Sequence, residues 1–157
     1  MKQSGRKWGA WIMLMGEFHH NIDEKSRLII PSKFRSELGE RFIVTRGFDK
    51  CLFVYSEVEW NKMMQKISTL QVTRKNVRAF ERALIGGASV TEFDKQGRIN
   101  ITSPLVHYAD ITKECVIIGV NERLEIWSLE EFNKYMKENE DSLEEMIEDI
   151  FDNRYEA

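Results

Sequence analysis

The stretch Glu17-Phe-His-His-Asn-Ile-Asp-Glu-Lys-Ser-Arg-Leu-Ile-Ile-Pro31 decides how the chain is read, because it recurs as Ala88-Ser-Val-Thr-Glu-Phe-Asp-Lys-Gln-Gly-Arg-Ile-Asn-Ile-Thr102, 71 residues on. Asp23 falls on Asp94 and Arg27 on Arg98. Further along, Phe42-Ile-Val-Thr45 matches Cys115-Val-Ile-Ile118 at a spacing of 73, and Leu52-Phe-Val-Tyr-Ser56 matches Leu124-Glu-Ile-Trp-Ser128 at 72. The spacing changes only where turns are expected, so the ordered matches mark an internal duplication.

Both copies call for the same elements. Alternating Phe18, His20 and Ile22 indicate a strand, Asp23 to Arg27 a turn, and Leu28-Ile-Ile30 a second strand. Pro31 ends that strand or opens a short helix whose apolar side is Phe34 and Leu38, with Gly39 as its terminator. Strands are expected again over Phe42 to Thr45 and Cys51 to Tyr55. Ser56-Glu-Val-Glu59 and Ser128-Leu-Glu-Glu131 are capping boxes at one repeat position. The helices behind them carry apolar stripes expected to pack into the core: Trp60, Met63, Met64, Ile67 and Leu70 in one, Phe132, Tyr135, Met136, Leu143, Met146, Ile147 and Ile150 in the last. Between the copies, a helix over roughly 74–85 groups Arg74, Lys75, Arg78 and Arg82 largely on one side.

The formal net charge of −3 conceals a segregation. Residues 1–98 hold 18 Lys/Arg against 11 Asp/Glu, whereas residues 99–157 hold 5 against 15. A basic portion suited to an anionic ligand is therefore followed by an acidic one, most concentrated over 130–157. No apolar run approaches the 18 or so residues of a membrane span. Cys51 and Cys115 are too few for a disulfide framework or a four-cysteine metal site and read as small buried hydrophobes. We expect a cytoplasmic protein with no cofactor, metal or small-molecule substrate.

Chemically, the duplicated Asp-x-x-x-Arg stands out, as Asp23-Glu-Lys-Ser-Arg27 and Asp94-Lys-Gln-Gly-Arg98. An Asp opening a tight turn accepts backbone N–H groups, so Asp23 and Asp94 are the expected turn-structuring residues. The arginines have two readings: bidentate ligands for phosphate or guanine at the tip of a groove-reading ribbon, or partners that only brace the turn through the Asp. His19 and His20 beside Asp23 and Glu24 suggest metal ligation or acid–base work only weakly, since adjacent strand residues face opposite ways and only part of the set converges. No phosphate-binding loop, nucleophile elbow or zinc-helix motif is present, and catalysis is not expected.

With Met15-Gly-Glu-Phe-His-His-Asn-Ile-Asp-Glu-Lys-Ser-Arg-Leu-Ile-Ile-Pro-Ser-Lys-Phe-Arg35, Val44-Thr-Arg-Gly-Phe-Asp-Lys-Cys-Leu-Phe53, Phe93-Asp-Lys-Gln-Gly-Arg-Ile-Asn-Ile101, Cys115-Val-Ile-Ile-Gly-Val120 and Glu125-Ile-Trp-Ser128, the chain resembles the MraZ family of bacterial transcriptional regulators over about residues 13–152. The resemblance implies an α+β fold with a mainly β core: two tandem, pseudo-twofold-related, AbrB-like swapped-hairpin modules with short helices and a C-terminal amphipathic helix. It implies a ring-shaped homo-oligomer, nucleoid-associated, that binds double-stranded DNA at repeated promoter boxes of its own division and cell-wall operon. Carried over by position, Arg27 and Arg98 face DNA with Lys25 and Lys95 close by, Arg35 takes a position that similar modules use on phosphates, and Lys33 is counted with the DNA-binding residues. Arg35 has Val106 as its counterpart in the second copy. Ser26 stands where the family usually has glycine, which would be strained if the turn needs positive φ, while the second copy keeps Gly97. The alternative is an antitoxin-like or scaffold protein whose hairpin modules bind other proteins.

The expected organisation is an extension over 1–13, disordered or leader-derived, modules at 14–60 and 87–130, linking helices at 61–86 and a C-terminal helix at 131–157. Met1, Met13 and Met15 are each possible translation starts.

Overall fold

The two copies wrap around a local twofold axis in the computed structural model, which describes residues 14–153. The expectations for the extension over 1–13 lie outside the described residues. The elements run β1 (Leu14–Asn21), β2 (Arg27–Ile29), α1 (Ser32–Leu38), β3 (Arg41–Arg46), β4 (Leu52–Ser56), α2 (Glu57–Ile67), α3 (Lys75–Leu84), β5 (Ser89–Glu92), β6 (Arg98–Asn100), α4 (Ser103–Tyr108), β7 (Glu114–Asn121), β8 (Leu124–Ser128), α5 (Leu129–Glu140) and α6 (Leu143–Asn153).

Strand pairing exposes the symmetry. The β2–β6 ribbon is antiparallel and centred on Leu28 opposite Ile99, which are repeat equivalents. The β4–β8 pair is centred on Phe53 opposite Glu125, again equivalents. First strands are exchanged: β1 of copy one pairs with β7 of copy two, and β5 of copy two pairs with β3 of copy one. The result is a six-stranded antiparallel sheet, ordered β1-β7-β8-β4-β3-β5, beside the two-stranded ribbon. The fold is α+β on a mainly antiparallel β core. Exchange answers a problem of size, since about 45 residues bury too little apolar surface to stand alone.

Inner strands are apolar on both faces because both faces are covered. Leu52 and Val54 of β4 and Leu124 and Ile126 of β8 join Leu28, Ile30, Phe34, Ile99, Ile101 and Leu105 in a core beneath the ribbon, α1 and α4. Their alternates Phe53, Tyr55, Val116 and Trp127 pack with Ile67, Leu84 and Phe132 beneath α2, α3 and α5. Cys115 belongs to the first core and Cys51 to the second, so the two thiols lie on opposite faces.

Both capping serines work as the sequence suggests: Ser56 Oγ accepts from Glu59 N and Ser128 Oγ from Glu131 N, each at 3.2 Å. The C-terminal region departs from expectation. Instead of one helix, the chain breaks at Asp141 and Ser142, with α5 before and α6 after. Residues 137–142 are all polar, so nothing anchors them, and Asn, Asp and Ser favour helix ends over interiors. The apolar stripe also divides: Phe132 is buried and Tyr135 half-buried, whereas Leu143, Met146, Ile147 and Ile150 are exposed. The core reading of the stripes is therefore corrected beyond residue 142, and also at Met136 and at Leu70 of the earlier stripe, which are exposed. No helix among the described residues is long and apolar enough to cross a membrane.

Candidate nucleic-acid interface

The Asp-x-x-x-Arg turns close identically. Asp23 N donates to Arg27 O at 2.9 Å and Ser26 N to Asp23 O at 3.0 Å; Asp94 N donates to Arg98 O at 2.9 Å and Gly97 N to Asp94 O at 3.0 Å. The residue before each arginine has positive φ, 60° at Ser26 and 78° at Gly97. A turn followed by one left-handed residue is a common way to close a hairpin, and glycine suits that position because it has no Cβ. The strain expected at Ser26 is therefore present.

Each Asp holds its turn with both oxygens. Asp23 Oδ1 accepts from the N–H groups of Lys25 and Arg27, both at 2.9 Å, while Oδ2 accepts from Arg27 Nε at 2.7 Å. Asp94 does the same with Gln96, Arg98 and Arg98 Nε at 2.9, 2.9 and 2.7 Å. These bonds, the backbone N–H of the arginine first, hold both carboxyls below the usual Asp range. The arginines are thus clamped through Nε, which fixes the plane of each guanidinium.

Tertiary structure brings the two turns together. Across the ribbon, Ile101 N donates to Ser26 O at 2.9 Å and Ile30 N to Gly97 O at 3.1 Å. Arg98 Nη1 lies 3.8 Å from Asp23 Oδ2, an ion pair between turns. Asn100 Nδ2 donates to Lys25 O at 3.0 Å. Asn100 escaped the sequence reading; its one signal is that the equivalent position in copy one is Ile29. Lys25 and Lys95 are exposed at the tips, and Arg27 and Arg98 half-buried behind them.

Arg35 joins this cluster from α1. Its Nη1 donates to Ile30 O at 3.0 Å, and its guanidinium crosses the place a Cβ on Gly97 would occupy. Lys33 is directed elsewhere: its Nζ lies 5.6 Å and 5.9 Å from the ring centres of Phe18 and Phe34. The cluster thus collects Lys25, Arg27, Arg35, Lys95 and Arg98 against Asp23, Glu24 and Asp94. That positive surplus is small, with the three arginines held in place by hydrogen bonds.

A family model described as "MraZ protein, putative antitoxin-like" matches the sequence twice, over residues 13–83 and 84–154. The matches meet at the last turn of α3 and take in both turns, both capping serines and the exchanged strands. On this tandem match, the chain belongs to the MraZ family.

Proposed function

We propose that this chain is a sequence-specific DNA-binding transcriptional regulator of its own division and cell-wall operon, acting as a ring-shaped homo-oligomer on repeated promoter boxes. Membership of the MraZ family supports a regulator-type role. The observation that carries the finer reading is the pair of identical turns, each with an Asp-clamped arginine and an exposed lysine, joined across the twofold ribbon. A clamped guanidinium loses little entropy on meeting a phosphate or a guanine edge, and a two-stranded tip fits a groove. Lys25 and Lys95 supply phosphate contacts, and Arg35 reinforces the second turn. The modest surplus of charge explains why the unit would act in multiples: several weak tips on one assembly gain affinity by effective concentration on direct repeats. Cytoplasmic, nucleoid-associated localisation follows from this role, and no reaction is assigned.

Footprinting the purified chain on the DNA just upstream of its own gene tests the proposal. Spaced protected boxes, weakened by Arg27→Ala without loss of the thermal transition, are expected. Equal affinity for unrelated DNA, or an Arg27→Ala variant that binds undiminished, overturns it.

A second reading, in which the chain binds other proteins in the antitoxin manner, draws on the family's description and on the exposed apolar side of α6.

A further inference from the structure

Two helices at the same place in the two copies, α3 after α2 and α6 after α5, have opposite characters. α3 is held on the sheet by buried Val77 and Leu84, with Thr45 Oγ1 donating to Leu84 O and Arg46 Nη1 to Ala83 O. Its outer face is a contiguous stripe of exposed Lys75, Asn76, Ala79, Arg82 and Ala83. Two alanines lie low in that stripe, and beside them Arg74, Lys75, Asn76 and Ala79 line an open depression of about 580 Å³. Exposed Val72 and Ile85 sit at its two ends, 59% and 39% accessible.

α6 is the complement. Leu143, Met146, Ile147 and Ile150 follow helical i, i+3, i+4, i+7 spacing and are 56%, 39%, 44% and 64% accessible, so among the described residues nothing covers this apolar stripe. Glu144, Glu145, Glu148, Asp149 and Asp152 surround it, with no Lys or Arg in the helix. Four adjacent apolar side chains left in water are unusual for a soluble helix and mark a contact surface.

We infer that α6 of one chain docks on the outer face of α3 of a second copy, its apolar stripe over Ala79 and Ala83 and its carboxylates against Arg74, Lys75 and Arg82. Small residues let helices approach closely, and the charges oppose α6–α6 and α3–α3 pairing while favouring α6–α3. Because the two surfaces differ, the contact is head to tail, and repeating it leads to a ring when the rotation closes. This rests on the homo-oligomer of the proposed function and names its junction.

The test is sedimentation velocity on the full chain at micromolar concentration, with Ile147→Glu and Ala79→Glu. Both sites are exposed, so both variants should keep the parent's far-ultraviolet circular dichroism and a cooperative melt, lowered only by the loss of assembly; Ile150→Glu and Ala83→Glu replace either one that does not. The parent is expected to be an oligomer, each variant alone a monomer, and an equimolar mixture of the two a dimer, since only one intact junction forms between them. A monomeric parent, an oligomer untouched by the variants, or an Ala79→Glu chain that still self-associates overturns the inference; the last would mean α6–α6 pairing. A parent that is monomeric yet protects its upstream DNA removes the junction and leaves the regulator reading. An assembly broken by both variants and restored to dimer on mixing, but without DNA affinity, supports the junction and removes the regulator reading.

Discussion

The guanidinium of Arg35, from the first copy, occupies the space that a side chain on Gly97, in the second, would need. Both residues are departures from the repeat: the equivalent of Arg35 is Val106, and the equivalent of Gly97 is Ser26. The local twofold relates the two pairs. Where the long guanidinium covers the turn, only glycine leaves room; the other turn, in the copy-one position, carries Ser26 on a left-handed backbone, and its repeat equivalent of Arg35 is the much shorter Val106.

Gly97→Ala should therefore destabilise the fold by about 1–3 kcal/mol, combining the left-handed backbone with displacement of Arg35. In an Arg35→Val background the same substitution should cost less, by roughly 0.5 kcal/mol or more, because the steric part is gone. A thermal or urea double-mutant cycle measures this, and strict additivity would refute the coupling.

Acid should loosen the turns. Asp23 and Asp94 have carboxyls held below their ordinary value, so the folded state binds fewer protons than the unfolded one. Their contribution is fully present above the unfolded carboxylate pKa of about 3.9 and is lost as pH falls through the lower folded values. Melting temperature against pH should drop less steeply below pH ~4 in the Asp23→Asn, Asp94→Asn double variant than in the parent. Parallel curves would contradict the assignment.

DNA affinity should fall linearly with salt on logarithmic axes, and Lys25→Ala and Lys95→Ala should each lower the slope by roughly 0.9, the value for one lost phosphate contact. Lys33→Ala should change it least among the lysines assigned to DNA, because its ammonium lies over Phe18 and Phe34. Fluorescence anisotropy across a salt series on an upstream fragment is the measurement.

Packing beneath the ribbon should dominate stability. Phe34 is fully buried between α1 and the sheet, so Phe34→Ala should cost about 3–5 kcal/mol. Ser56→Ala, which removes one helix cap, should cost about 1 kcal/mol. Urea titrations that rank these two the other way would contradict this account of the core.

Burial pushes the Cys115 thiol up to about 11 and raises that of Cys51 as well. The native chain should react slowly with a thiol-specific reagent at neutral pH, and both thiols should react at once in denaturant. Rapid labelling of either thiol in the native state would show that its core opens.

The duplication, the turns, their Asp and Arg residues, the capping serines and most strands were legible in the sequence because each is a local rule: alternation along a strand, a carboxylate opening a turn, a serine before a helix. Positive φ at Ser26 followed from alignment with Gly97. Tertiary structure alone decided which strand pairs with which, since the exchange of β1 and β5 joins residues 45–107 positions apart. It also decided that Arg35 serves the other copy's turn while Lys33, two residues away, points to another surface. The C-terminal stripe shows the limit most plainly. Its helical spacing fixes an apolar side but not what covers that side, because periodicity encodes the wish to be buried and only the position of the neighbouring elements provides, or withholds, the partner.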